Sequence, residues 1–239
     1  RAKSELYHHL IKSEGKIFVN TQQEILYNMS KRMQEPVFYP KKGDYYHCEL
    51  LDASPFVVIR AENGEAVHTQ ITGRYNFDNI ASALCVGKYF NVPEEEANSA
   101  VSEYLPSNNR SQVVKKNGAT LIMDAYNANP SSMEAAIMNL KEMKGDLKCA
   151  ILGDMMELGE DTEKEHRNIA LLLNRIAIDK VILCGTHMKY AAEECKRAHY
   201  FASKEELINA VKAADFNGYT VLIKGSRSMA LEKIVEYIN

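Results

Sequence analysis

The sequence predicts an α/β protein: a doubly wound domain with a mostly parallel sheet, preceded by a segment that is first β-rich and then helical. Three observations predict it. Four short apolar runs, Ala119–Ala125, Lys148–Leu152, Lys180–Cys184 and Tyr219–Lys224, alternate with stretches of helical periodicity. That alternation is the βαβ pattern, in which parallel strands are covered on both faces. Upstream, Asn63-Gly64 lies between two extended runs, a hairpin signal. Between the two regions, Pro106-Ser107-Asn108-Asn109 reads as a linker. The predicted domains are therefore 1–106 and 107–239.

In chain order, residues 16–73 carry short strands with turn signals, and antiparallel structure is expected throughout them. Pro55–Ala61 and Ala66–Ile71 form the hairpin around Glu62-Asn63-Gly64-Glu65. Two helices follow between Asn76 and Leu105. Ile80, Ala83, Leu84 and Gly87 make one narrow face of the first. Pro93 opens the second, where Ala97, Ala100, Val101 and Tyr104 keep the i, i+3, i+4, i+7 spacing. In the last region Ser203-x-x-Glu206 is a capping box ahead of Leu207, Ile208 and Val211. Leu231, Ile234, Val235 and Ile238 give a final α-helix its buried stripe.

Bulk composition narrows the function. Of 239 residues, 46% are hydrophobic and 26% charged, enough for a core of ordinary density. A net charge of −3 gives no general case for nucleic acid or an anionic membrane as partner. No apolar run reaches the roughly 20 residues of a membrane helix, and no secretion signal is visible. The chain opens Arg1-Ala2-Lys3 without an initiator Met, which predicts a fragment or a processed product. Cys48, Cys85, Cys149, Cys184 and Cys195 form no C-x-x-C pair, so reduced, buried thiols in a cytoplasmic monomer are expected. His8 and His9 are adjacent and face different ways, and no metal-ligand spacing emerges from the seven histidines.

In open α/β sheets ligands sit beyond the carboxyl ends of the strands, so the residues there carry the functional reading. After the first run comes Asp124-Ala125-Tyr126-Asn127-Ala128-Asn129-Pro130. Asp124 could accept hydrogen bonds from ribose hydroxyls, Tyr126 offers a flat face to a base, and Asn127 an amide. Turn chemistry accounts for Asn129 as a cap with Pro130 at the first helical position, but not for Asp124 or Tyr126. After the second run, Gly153-Asp154-Met155-Met156-Glu157-Leu158-Gly159-Glu160 reads equally as a ligand-facing turn or a plain surface loop. His166 is expected to be a solvated surface residue. After the last run, Lys224-Gly225-Ser226-Arg227-Ser228 could present backbone N–H groups to an anion, with Lys224, Ser226 and Arg227 alongside. A serine cap flanked by two solvated cations is the alternative. In Gly73-Arg74-Tyr75-Asn76-Phe77-Asp78-Asn79, Asn76 and Asn79 share one helical face and could pair with an adenine edge; a simple cap covers Asn76 alone. One motif is missing. Gly15-Lys16 and Gly87-Lys88 are the only Gly-Lys pairs, and neither completes G-x-x-x-x-G-K-[ST].

Taken in order, Gly73–Asn79, Asp124–Pro130, Leu152–Gly159 and Lys224–Ser228 resemble the Mur ligases, ATP-dependent amide-forming enzymes of peptidoglycan precursor synthesis. Among them the resemblance is to the member that adds D-alanyl-D-alanine to UDP-N-acetylmuramoyl-tripeptide, and it covers nearly the whole chain. It implies ATP and Mg2+ as cofactors and those two compounds as substrates. It implies that residues 1–106 are the tail of a central ATPase domain, and 107–239 a complete C-terminal ligase domain. Ala2–Tyr7 matches the segment holding a carboxylated lysine, at Lys3, which would then serve a metal. Asn76 and Asn79 match adenine contacts, Arg110 an arginine that reaches nucleotide phosphates, and Asp124 the ribose-binding aspartate. The Lys224–Ser228 loop matches the incoming-substrate side. Tyr75 stands where many relatives have His, and the Walker loop and the UDP-sugar domain are missing, so the isolated chain is expected to be inactive. The alternatives are another amide ligase of the superfamily, such as folylpolyglutamate synthase, or a non-catalytic nucleotide-binding or interaction module.

Overall fold

The computed structural model describes residues 2–13, 15–107, 109–145 and 147–238, with the side chains of residues 2–4 and 11 outside the description. The chain divides into two compact units, Arg1–Tyr104 and Leu105–Asn239.

Unit 1 contains α1 (Ala2–Lys12), β1 (Phe18–Asn20), α2 (Glu24–Ser30), β2 (Val37–Tyr39), β3 (Glu49–Asp52), β4 (Val58–Arg60), β5 (Ala66–His68), α3 (Phe77–Tyr89) and α4 (Glu94–Glu103). The expected hairpin is β4–β5, in register Ile59↔Val67. Gly64 makes the turn at φ +87°, a conformation costly for residues with a Cβ. β3 joins on the far side of β4, with a shift in register between Leu50 and Asp52. The expectation of antiparallel structure throughout fails at β1 and β2, which pair in parallel with Phe18↔Val37. The intervening α2 carries the chain back to the same end of the pair, a crossover that three-residue strands leave without a periodic signal. Ile59 and Val67 pack under Phe77, Ile80, Ala81 and Leu84, the buried side of α3.

Unit 2 contains β6 (Gln112–Lys116), β7 (Ala119–Asp124), α5 (Pro130–Glu142), β8 (Leu147–Gly153), α6 (Thr162–Arg175), β9 (Lys180–Cys184), α7 (Met188–Glu194), β10 (His199–Phe201), α8 (Lys204–Ala213) and β11 (Tyr219–Lys224). The sheet order is β10-β9-β8-β11-β7-β6. All neighbours are parallel except β6, which folds back on β7. Alternation along β8 sends Ala150 and Leu152 to α5, α6 and α7, and Cys149 and Ile151 to the α8 face. Each face thus has its own core, and each fully buried Leu or Ile contributes roughly 1.5–3 kcal/mol.

Asn129 caps α5 as expected: its side chain accepts from Ser132 N, and Ser132 returns the bond. Ser203 accepts from Glu206 N, but the Glu206 carboxylate reaches Ala202 N rather than the cap residue. The predicted final α-helix is instead a 3-10 helix, Leu231–Tyr237. Ala230 enters it in the left-handed region at φ +47°. Lys116 Nζ donates to the carbonyls of Val235 and Glu236, and Asn117 Nδ2 to that of Ile238, so those acceptors are tied to the β6–β7 hairpin. Among the described residues no helix is long and apolar enough to cross a membrane.

Candidate functional site

β11 lies between β8 and β7, and Lys224 at its end stands in register with Asp124 and Leu152. The loops that follow these three strands are therefore neighbours at one edge of the sheet. Hydrogen bonds tie them together. Lys224 is 2% exposed. Its ammonium donates to Asp124 Oδ2 at 2.6 Å, to Asn127 O at 3.0 Å and to Asp124 O at 3.4 Å. Lys224 thus turns inward as a strut beneath the Asp124–Asn127 loop, where the sequence reading had it flank an anion site. Ser226 joins the other side: its N–H donates to Asp154 O at 2.9 Å, and its hydroxyl accepts from Met156 N at 2.8 Å. Gly225 permits this approach. A Cβ there would meet Leu231 Cδ1 at 2.8 Å and the Gly153 Cα at 3.3 Å.

The Asp124 side chain is 16% exposed, so part of it reaches solvent beside these struts. Its Oδ1 also receives Ser111 N at 3.3 Å. A carboxylate oxygen accepts more than one bond, so Asp124 keeps capacity for a ligand. Arg110 precedes Ser111, and its guanidinium lies 3.7 Å from the centroid of the exposed Tyr126 ring, a cation–π contact. Asn127 is exposed, with its side-chain oxygen on Ala128 N. Arg227 is exposed and pairs with Glu232 at 3.1 Å, a surface pair worth at most about 1 kcal/mol. Arg110, Asp124, Tyr126, Asn127, Lys224 and Ser226 thus belong to one end of unit 2.

Two residues in this region had weak sequence signals. Asp154 is buried and its Oδ1 accepts from His187 N at 3.0 Å and Met188 N at 2.8 Å, capping α7 from another loop. The Gly153–Glu160 motif therefore anchors the β8 loop to the β9 loop. His166, expected at the surface, is buried. Met155 N donates to its Nε2 at 3.1 Å, so Nδ1 carries the proton and donates to Thr162 O at 2.7 Å. Burial pushes its pKa below 6.5, partly offset by the Thr162 carbonyl and Asp154, and the ring is neutral. Helical spacing puts His166 on the same stripe as Ile169, Ala170 and Leu173, a signal that outranks its polarity. The five cysteines are buried and unpaired. Burial pushes the thiols of Cys48, Cys85, Cys149 and Cys184 up to about 12, which removes them as nucleophiles at neutral pH.

In unit 1, Asn79 Nδ2 donates to Asn76 Oδ1 at 2.9 Å and Asn76 Nδ2 to Thr72 O at 2.7 Å, so the two amides form one chain of dipoles. Asn76 makes no side-chain cap bond, and the simple-cap reading fails. Beside it an open cavity of about 570 Å³ is bordered by Lys41, Lys42, Arg74, Tyr75 and Asp78. The Lys3 backbone lies in α1, and its side chain is outside the described residues. Among the described residues no group of three or more His, Cys, Asp or Glu could hold a metal ion.

Residues 109–227 match the family described as Mur ligase, glutamate ligase domain. The UDP-N-acetylmuramoyl-tripeptide–D-alanyl-D-alanine ligase of Bacillus subtilis is 34% identical over 174 residues, covering 70% of this chain and 38% of that protein. The Escherichia coli enzyme of the same name is 37% identical over 117 residues, covering 48% and 26%. A crystal structure of MurF from Acinetobacter baumannii superposes with a TM-score of 0.81 at 26% identity, over 99% of this chain and 54% of that one. The Thermotoga maritima MurF, in complex with ADP, shares the fold with a TM-score of 0.77 at 21% identity, over 93% and 52%. The chain therefore spans about 40% of the first curated relatives and about half of these solved chains. Its six-stranded sheet, its ordered strand-end motifs and these matches together make the chain a member of the Mur ligase family.

Proposed function

We propose that the chain works within a longer cytoplasmic ATP-dependent ligase, which joins D-alanyl-D-alanine to UDP-N-acetylmuramoyl-tripeptide. The observation that carries this reading is the bracing of three strand-end loops by Lys224 and Ser226 around the partly exposed Asp124. Relatives at 34% and 33% identity are named for that reaction, and the partial coverage of them agrees with a chain that contributes only some of the groups required. Unit 1 then corresponds to the tail of the ATP-binding domain and unit 2 to the C-terminal ligase domain.

In this reading Asn76 and Asn79 pair with adenine, Asp124 accepts from ribose hydroxyls, Tyr126 and Asn127 line the nucleoside, and Arg110 meets phosphate. A carboxylate resists nucleophiles because of its charge, and phosphorylation removes that obstacle. The tripeptide carboxylate oxygen bonds to the γ-phosphorus as ADP departs. The amine of D-alanyl-D-alanine then attacks the acyl carbon, loses a proton and displaces phosphate. A cation such as Arg110 offsets charge on the transferring group. Lys3, if carboxylated, would add an anionic oxygen ligand. The described residues do not fit a magnesium site by themselves, and no step here runs through one.

The test is product analysis with the longer enzyme, supplied with ATP, the UDP-tripeptide and competing amines. One ADP and one phosphate per new amide bond, with D-alanyl-D-alanine preferred over glutamate or a diamino acid, supports the reading. Product formed without ATP hydrolysis, or only from glutamate, contradicts it.

A further inference from the structure

Three successive residues after β8 are each tied to another element, and one of the ties is titratable. Asp154 N donates to Met229 Sδ, and Asp154 O accepts from Ser226 N. Met156 N donates to the Ser226 hydroxyl at 2.8 Å. Between them, Met155 N donates to His166 Nε2 at 3.1 Å. Met155 and His166 are both fully buried, so this amide has no water to turn to when its acceptor is lost. Ser226 lies two residues beyond Lys224, whose ammonium holds Asp124. The His166 ring thus stands at the head of a bonded path that runs through the β8 loop and Ser226 to the candidate site.

An imidazole serves here in one form only. Thr162 O, one helical turn back, takes the Nδ1 proton at 2.7 Å and leaves the Nε2 lone pair for Met155. A second proton, on Nε2, would set N–H against N–H and break the bond. The groups that bear on the ring are divided. Asp154 from the β8 loop and Glu165 on α6 favour the imidazolium, and His187, with its ring centroid 5.7 Å away, opposes it. Glu160 and Asp161, in the turn before α6, are exposed, and the buried face of α5 carries no titratable group. Burial is the largest influence and opposes the charge, so the ring is neutral at neutral pH and takes the proton only on acidification below 6.5. A leucine at this position would continue the stripe of Ile169, Ala170 and Leu173 but would accept nothing from Met155.

We infer that His166 is a positioning residue for the candidate site: the neutral ring latches the β8 loop where Met156 holds Ser226, and protonation of the ring opens the latch. This regulation rests on the reading of the Asp124 end of unit 2 as part of a ligase site. His166 acts through the backbone amides of Met155 and Met156 and touches no substrate. The latch is closed at neutral pH and opens as pH falls through the folded pKa of the ring.

Two variants separate a latch from simple packing. His166→Gln keeps an acceptor for Met155 N but cannot titrate, and His166→Leu fills the stripe and accepts nothing. In 1H-15N NMR of the chain across acid pH, the Met155 and Met156 amides shift along one titration curve with the His166 ring, and His166→Gln abolishes that curve. In the longer enzyme, the acid limb of kcat/KM moves to lower pH in His166→Gln, whose activity at neutral pH stays within about threefold of the parent. His166→Leu loses at least about tenfold at neutral pH. Amides indifferent to the His166 titration, or the same titration in His166→Gln, overturn the latch. An acid limb unmoved in His166→Gln, or full activity in His166→Leu, overturns its hold on the site; the His166→Gln result stands whether or not His166→Leu folds. If the parent enzyme joins no D-alanyl-D-alanine, the ligase reading falls, and the amide titration still decides the latch.

Discussion

Replacing Lys224 by Met keeps most of its volume and removes its charge. Asp124 Oδ2 then loses a partner at 2.6 Å, and the carbonyls of Asp124 and Asn127 lose theirs. Removing one member of a buried ion pair costs about 3–5 kcal/mol, because the other charge stays behind uncompensated. The Asp124 side chain is 16% exposed against 2% for Lys224, so water can partly solvate the orphaned carboxylate. The expected loss is therefore near the lower end, about 3 kcal/mol. Native-state hydrogen exchange at β7 and β11 amides reads the stability of unit 2 directly, and those amides should lose protection by that amount. Lys224→Met combined with Asp124→Leu removes both charges, and a well-packed apolar pair is close to neutral. The double variant should recover at least about 1.5 kcal/mol relative to the sum of the single effects. A loss below about 1 kcal/mol in Lys224→Met, or strict additivity in the double variant, would refute the strut.

Three further outcomes are expected. His166 has its folded pKa below the unfolded value of 6.5 because burial disfavours its charged form. The unfolded state therefore binds the extra proton: the stability of unit 2 is full above pH 6.5, falls as pH drops toward the folded pKa, and levels off below it. The slope is at most about 1.4 kcal/mol per pH unit, and an equilibrium unfolding series in which His166→Gln kept it would reject this origin. Asp154→Ala removes the acceptor for the His187 and Met188 amides at the start of α7 and should cost about 2 kcal/mol; unchanged exchange at His187 and Met188 would argue against the cap. Limited proteolysis should cut first between Tyr104 and Arg110, where the two compact units meet in sequence, and protection of that stretch with cleavage inside either unit would count against it.

The sequence made the central strands of unit 2 legible because β7, β8, β9 and β11 are continuous apolar runs, as buried parallel strands must be. The edge strands were not. β6 is half-buried and carries Lys115 and Lys116, and β10 has only three residues. The Asn117-Gly118 turn joining β6 to β7 was nonetheless the same signal that marked Asn63-Gly64. The carbonyls at the end of Leu231–Tyr237 are held by Lys116 and Asn117, over a hundred positions away, contacts that no local pattern could carry. At the candidate site, the loops that the post-strand rule selected are hydrogen-bonded to one another, but residue type did not convey the burial of two side chains. Lys224 read as a cation beside an anion site or in solvent, and His166 as a solvated ring. Both are buried because partners from other loops satisfy them, information that resides in the tertiary structure.

The central claim is that the braced Asp124 loop binds the nucleotide of an amide ligase. The most direct measurement is the steady-state kinetics of Asp124→Ala in the longer enzyme, varying ATP and D-alanyl-D-alanine separately, with unit 2 stability measured in parallel. Loss of hydrogen bonds to a charged acceptor is worth roughly 1.5–3 kcal/mol. The KM for ATP should therefore rise about tenfold or more while that for D-alanyl-D-alanine changes little, at a temperature where the variant, destabilised by a buried and unpaired Lys224, is still folded. An unchanged KM for ATP in such a folded variant would contradict the claim.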